Sequence, residues 1–449
     1  MISKLNFSVR GKAVLILLSA LLVSRADAQT TKTITLAEAI RLGLENSKTL
    51  KLSQARIDAA ISEYNQAKDN VLPSAKASYA YNHAEIPTNT LRIGDGDPIH
   101  LPNRADAFIG TVSVQELLFA GNKLRYARES TELLTSIARA DATQDKDNVI
   151  YGIISAYYNL YKVQQSKEVV RQNLESADKQ LKQATRFFDQ GVVTRNDVLR
   201  FQLQKSNVEV TGIDLESNRR IVNYDLNVLL GLPENTELVV ADFMDKGSHN
   251  QQLAAYIDSA LTRREEVKTA DLRTRIAETN IKFIHADQYP TIGVGANLYY
   301  INAGGKVFPV SNSFVLPISI GATVSWNFDK LWMNKNKIAG ARIQKTEAEI
   351  GRELSVDQVK TDVNRNYQNY RGALDRIRIY ETQVTQATEN DKILESKYRN
   401  SVASVTDRVD AGTQLFQAQI NLELAKADAA LAWYNLLKST GTITQAQTN

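Results

Sequence analysis

The sequence predicts a mainly α-helical chain with a membrane β-barrel part, laid out as two tandem repeats of helix, strand, strand and long helical hairpin. Three observations predict it. First, a shift of 210 residues carries Phe188 to Tyr398, Leu174 to Val384, Ala177 to Ala387, Ala184 to Leu394, Asp197 to Asp407, Tyr224 to Tyr434 and Gly231 to Gly441. A seam, a hairpin tip and a helix end therefore repeat together; the repeat is imperfect at Leu181, which maps to Asp391. Second, no proline interrupts Gly121 to Gly191 or Asn336 to Ser401. About seventy helical residues at ~1.5 Å each reach about 105 Å, a length that suits a rod crossing a wide space better than a compact domain. Third, four stretches alternate apolar with small or polar residues at the period of two that strands require.

Bulk properties narrow the function. A chain of 449 residues has room for two or three ordinary domains. The formal net charge of +4 comes without a basic stripe, which argues against nucleic acid. The lack of cysteine excludes disulfides, a thiol nucleophile and a lipid-anchored cysteine. The four histidines are scattered. No glycine-rich phosphate loop, zinc spacing or serine nucleophile elbow is present, so neither an enzyme nor a cofactor or metal site is read.

In chain order, Met1 to Ala28 reads as a signal peptide. Lys4, Arg10 and Lys12 precede an apolar run from Ala13 to Val23 that is too short to cross a bilayer, and Ala26-Asp27-Ala28 fits a small-x-small cleavage site. The first repeat is expected over residues 29–233. Thr35 caps a helix, with Glu38 three residues on, and the helix runs to about Leu72, where Pro73 ends it. Strands follow at about 74–83 and 107–118. In the loop between them, Gly94-Asp95-Gly96-Asp97 reads as an ordinary turn, because the remaining ligands of a calcium loop are missing. His83 and His100 read as solvated loop residues. Along the long helix, Val170, Leu174, Ala177, Leu181, Ala184 and Phe188 step by fours and threes, a coiled-coil seam. The tip falls at about 188–197, with Thr194 or Asn196 as N-cap of a return helix ending near Gly231. Residues 234–252 read as a linker. The second repeat, 253–441, follows the same plan: a helix to about Tyr289 before Pro290, strands at about 291–301 and 315–328, a long helix, a tip at about 398–407 and a return helix ending near Gly441. Residues 442–449 read as a polar tail.

The strands carry the functional argument. Ala75, Ala77, Tyr79 and Tyr81 face one way and Lys76, Ser78 and Asn82 the other; Ile292, Val294, Ala296, Leu298 and Tyr300 oppose Thr291, Gly293, Gly295 and Asn297. In water the apolar face would aggregate, whereas in a bilayer it is correct. Tyr79, Tyr81, Tyr299, Tyr300 and Trp326 supply interfacial aromatics. Four strands cannot close a barrel, and an open edge does not persist in hydrocarbon. The barrel is therefore shared among chains. Two copies give eight strands, filled with side chains; three give twelve, wide enough for a channel.

The twofold order of elements resembles the TolC family of outer-membrane efflux channels. The resemblance is carried by Leu36-Ala37-Glu38-Ala39, by the Leu72-Pro73 and Tyr289-Pro290 junctions, by the tip Gly191-Val192-Val193-Thr194-Arg195-Asn196-Asp197, and by Leu229-Leu230-Gly231-Leu232-Pro233. It implies a homotrimer in the cell outer membrane: a twelve-stranded barrel within outer-membrane lipid and a long α-helical coiled-coil tunnel in the periplasm. It further implies a periplasmic adaptor (membrane fusion) protein and an inner-membrane pump of RND, ABC or MFS type, with this chain as exit duct of a tripartite efflux or type I secretion system. At the tips, Tyr398 and Asp197 match a hydroxyl–carboxylate link between neighbouring hairpins. Where the family often has a second linking arginine this chain has Ala403, with Asn196 at the partner position, so that lock is absent or replaced. Asp407 and Asp410 match acidic positions ringing the constriction, where six carboxylates in a trimer would attract cations. For Asp407 and Asp197 helix capping is the competing role. Gly191, Val192, Val193, Val402 and Val405 are expected either to dock adaptor hairpins or to pack the turn. A non-pore periplasmic coiled-coil scaffold or an adaptor protein is the alternative, although an adaptor would carry one hairpin flanked by β-rich domains. The exported substrate and the pump class are not legible.

Overall fold

A computed structural model describes residues 31–85, 87, 90–100, 104–241, 251–304 and 314–444, so the predicted signal peptide lies outside the described residues. The principal elements are β1 (Thr31–Ile34), α1 (Leu36–Asn46), α2 (Lys48–Asp69), β2 (Ser74–Glu85), β3 (Arg104–Ala120), α3 (Lys123–Asp189), α4 (Arg195–Leu230), β4 (Glu237–Val240), α5 (Leu253–Arg263), α6 (Glu265–Ala286), β5 (Thr291–Gly304), β6 (Ile318–Ser325), α7 (Lys335–Arg399) and α8 (Val405–Ser439). The two uninterrupted long helices are present, α3 with 67 residues and α7 with 65. The helices expected at 35–72 and 253–289 are each broken once. Ser47 (ψ 117°) and Arg264 (ψ 127°) adopt extended backbone between α1 and α2 and between α5 and α6. Neither break carries proline or glycine.

The chain divides into two compact units: residues 1–48, 146–259 and 362–449, and residues 49–145 and 260–361. The first unit is helical, with its largest apolar cluster built from both repeats. Ile34, Ile150, Ile153, Ile154, Leu160, Leu226, Leu230 and Leu238 are almost fully enclosed there, and burying each such side chain contributes about 1.5–3 kcal/mol. Within the predicted linker, β4 pairs in parallel with β1, Thr31 opposite Glu237 through Ile34 opposite Val240. Side-chain amides satisfy the other edge of β4. Asn223 Oδ1 accepts from the Leu238 N–H at 2.8 Å, Gln164 Nε2 donates to the Leu238 carbonyl at 2.8 Å, and Gln164 Oε1 accepts from the Val240 N–H at 3.2 Å. The predicted polar tail begins as structure: Ile443 is buried in the core and Thr444 Oγ1 donates to Asp147 at 2.8 Å. Thr35 caps α1 by accepting from the Glu38 N–H at 3.2 Å; the Glu38 carboxylate pairs with Lys32 instead of closing a capping box.

The second unit holds a five-stranded sheet in the order β2-β3-β5-β6, with the short strand Phe314–Val315 also on β5 and every neighbouring pair antiparallel. The strands run past their expected ends at 83, 118 and 301, and β6 stops at Ser325, short of 328. The register of β3 on β5 shifts once, between Leu117 and Phe119. Gly94 takes a left-handed φ of 62° in the turn between two short ladder strands, Thr90–Leu91 and Ile99–His100. The chain leaves β3 for α3 through two left-handed residues, Gly121 (φ 61°) and Asn122 (φ 66°), with Gly121 set against the end of α6.

Candidate functional site: the membrane sheet and the helical tips

Cross-strand register assembles two apolar rows, drawn from all four strands, on one face. Ala77 lies opposite Val112, Val112 opposite Leu298 and Leu298 opposite Ile318; one pleat along, Ala75, Val114, Ala296 and Ile320 form the parallel row. This face is uncovered in the chain, Ile320 being 84% exposed. The opposite face carries Ser78, Thr111, Asn297 and Ser319. Aromatic side chains gather at both ends. Tyr79 and Tyr81 stack against Phe108, and Tyr300 packs on Phe314, toward the loops; Trp326, Phe328 and Trp332 form a chain at the helix-proximal end. From Thr291 to Tyr300, nine residue steps at ~3.3 Å give about 30 Å along the strand. With a tilt of ~35–45° that projects close to the ~25 Å apolar band of a membrane barrel. His83, predicted as a loop residue, instead sits in β2 opposite Asp106, its Nδ1 2.6 Å from Oδ1. The Tyr81 hydroxyl donates to the same carboxylate at 2.9 Å.

The two hairpin tips are built alike. α3 closes with the Val192 N–H donating to the Phe187 carbonyl at 2.8 Å, across the left-handed Gly191 (φ 73°). α7 closes with Val402 donating to Lys397 at 2.8 Å, across Ser401 (φ 59°). This is the Schellman arrangement, with serine accepting in the second copy the conformation glycine provides in the first. Each return helix then starts on a full capping box. Thr194 caps α4, donating through Oγ1 to Asp197 Oδ2 at 2.8 Å; Ser404 caps α8, donating through Oγ to Asp407 Oδ2 at 2.7 Å. Of the two candidate N-caps, Thr194 is therefore the one used, and the acidic residues fill the position that both the helix dipole and the cap favour.

Ala184, Val198, Phe201, Tyr398 and Val405 form a buried cluster between the tips. Val405, at 6% exposure, is thereby withdrawn from the expected adaptor-docking set, because its side chain fills this cluster. Val192 and Val402 are exposed, Val193 half-buried. The expected link between Tyr398 and Asp197 is not made within the chain. Tyr398 packs edge-on against Phe201, its hydroxyl has no hydrogen-bond partner among the described residues, and the Asp197 carboxylate is held by Thr194. Burial, and secondarily the charge of Asp197, push the Tyr398 hydroxyl above its ordinary pKa. Since an unsatisfied buried hydroxyl costs about 1–3 kcal/mol, Tyr398→Phe is expected to leave thermal stability unchanged or raise it, read by circular dichroism of the reconstituted protein. Asp407 and Asp410 both face solvent.

One pair escaped the sequence reading. Arg408, 3% exposed, donates through Nη1 to Asp391 Oδ1. Its signal was in view: the seam breaks where Leu181 maps to Asp391, and the same shift maps Val198 to Arg408.

The family model described as outer membrane efflux protein matches this chain twice, over residues 39–232 and 256–442. The chain belongs to this family. TolC of Escherichia coli (strain K12) is 23% identical over 418 residues, covering 88% of this chain and 80% of that protein. The outer membrane efflux protein BepC of Brucella suis is 22% identical over 425 residues, covering 92% and 86%. Among solved structures, VceC of Vibrio cholerae superposes with a TM-score of 0.73 at 18% identity, over 90% of this chain and 96% of that one. As an outer membrane efflux protein the chain is an exit duct in the outer membrane, and the non-pore scaffold or adaptor alternative falls away.

Proposed function

We propose that three copies of the chain close their sheets into one twelve-stranded barrel, and that the helical unit forms a periplasmic tunnel constricted at the tips by Asp407 and Asp410. The observation that carries this reading is a sheet with one continuous apolar face and two edges, β2 and β6, that pair with nothing further among the described residues. Unpaired edges are untenable in hydrocarbon, so sister chains complete the wall. Eight strands would be filled by side chains, whereas twelve enclose a channel, which suits an inner face bearing Ser78, Thr111, Asn297 and Ser319.

Transport is passive, and a partner pump supplies the energy. One relative, TtgC of Pseudomonas putida, is described as the outer membrane protein of a toluene efflux pump, which supports this partner class. The exposed Val192 and Val402, beside Gly191 and Val193, offer an apolar contact for a periplasmic adaptor. In this arrangement Asp197 caps its helix, and Tyr398 serves the gate as the packing centre of the tip rather than through its hydroxyl.

Light scattering of the detergent-solubilised protein is expected to give three times the chain mass, and a monodisperse monomer would refute the shared barrel. In planar bilayers the protein is expected to conduct with a preference for cations, because acidic rings at a narrow aperture attract them. The Asp407→Ala/Asp410→Ala variant should lose most of that preference; unchanged selectivity would remove the two residues from the constriction.

A further inference from the structure

Asp391 lies on α7 and Arg408 on α8, so their ion pair joins the two arms of the second hairpin close to its tip. We infer that this pair is a positioning clamp: it sets the rotation of α8 and so aims Asp407 and Asp410. The inference rests on the constriction reading proposed above.

Comparison of the two hairpins within the chain supports it. At the equivalent places the first hairpin has Leu181 and Val198, and both pack into the apolar cluster of the tips. An apolar pair there is compatible with a folded tip. A buried ion pair gains little or no stability over such a pair, because desolving two charges offsets their attraction. What it adds is direction. A guanidinium donating to a carboxylate oxygen accepts a narrow range of geometries, whereas aliphatic contact tolerates rotation.

A third position changes along with the pair. Gly412, one turn beyond Arg408, has Gln202 as its counterpart. A Cβ on Gly412 would stand 3.8 Å from both Arg408 Nη1 and Asp391 Oδ1 and 3.1 Å from Gln204 Nε2. The glycine lets the Gln204 amide approach the helix, and the paired charges lie at ordinary contact distance beside it. The neighbouring space is a cavity of about 310 Å³ bordered by Asp391, Gly412, Gln180 and Gln204.

The consequence follows from helix geometry. At ~100° per residue, Asp407 and Asp410 lie within about 60° of each other, on the side of α8 away from Arg408. Both are exposed while Arg408 is buried. The first hairpin, which lacks the clamp, also lacks the second acid: Asp410 maps to Arg200. The hairpin with the fixed rotation is thus the one that has two carboxylates to aim.

The test uses the full-length protein in planar bilayers under a potassium chloride gradient, reading the permeability ratio of potassium to chloride. D391L/R408V installs the residues of the first hairpin and leaves no buried charge, so it folds. It is expected to lower the ratio by about threefold through misdirected carboxylates. The charge-swapped D391R/R408D variant should recover it. If D391L/R408V keeps the wild-type ratio while D407A/D410A lowers it, the clamp is overturned and the constriction stands. A swapped variant as low as the apolar one would assign the loss to altered packing and also overturn the clamp. If D407A/D410A leaves the ratio unchanged, the constriction reading itself fails.

Discussion

Replacing Val114 by arginine is expected to prevent most of the protein from folding into a membrane. Val114 sits between Ala75 and Ala296 on the apolar face, midway between the two aromatic groups. An arginine facing lipid near the midplane of a barrel costs about 2–4 kcal/mol, and in the proposed trimer each chain would incur it. Thr111→Arg on the opposite face is the control, since in the proposed barrel its side chain would point into water and lose little hydration. Urea titration of folding into lipid vesicles measures both. Equal effects of the two substitutions would mean that the faces have been assigned the wrong way round.

Gly121→Ala is expected to destabilise the second unit by about 2–4 kcal/mol, combining a left-handed backbone unfavourable to alanine with overpacking. A Cβ at this position would stand 2.7 Å from the Ala286 carbonyl oxygen and 2.9 Å from Tyr289 Cβ, both at the end of α6. A carbonyl fixed at a helix end cannot swing aside as a flexible side chain does. Gly191→Ala is the comparison: its φ is also left-handed, at 73°, but open space surrounds it, so only the backbone penalty of about 1 kcal/mol remains. Unfolding temperatures of the two variants separate the steric from the conformational contribution.

The features legible in the sequence were those written in local pattern over many residues. The long helices needed only the absence of a breaker, and the strands only strict alternation, which the observed register reproduces face by face. The first tip's cap was legible only as Thr194 or Asn196; Thr194, followed three residues later by an aspartate, is the one used, and Ser404 repeats it in the second copy. Features set by distant contacts were hidden. Ser47 and Arg264 interrupt their helices without any residue that breaks helices intrinsically. β1 and β4 are four residues each and read as nothing until they meet. The choice for Val405 between docking and packing, and the packing of Tyr398, were hidden because a tip residue's burial depends on the other hairpin, some two hundred positions away. Asp391 registered only as a flaw in the seam, since a polar residue at a core position acquires meaning from the partner that neutralises it.

The ribbon of β1 and β4 has a consequence for how the molecule is made. Thr31 pairs with Glu237, so a chain delivered from its amino end presents one half of the ribbon long before the other exists. Parallel partners need an intervening crossover, and here that crossover is nearly the entire first repeat. Until it arrives, Ile34 has no place to hide and the first helices have no floor to rest on. Such non-local closure is slow and leaves greasy surface uncovered meanwhile. The order of delivery therefore leaves the newborn amino terminus without its ladder partner until a rung some two hundred residues behind it arrives.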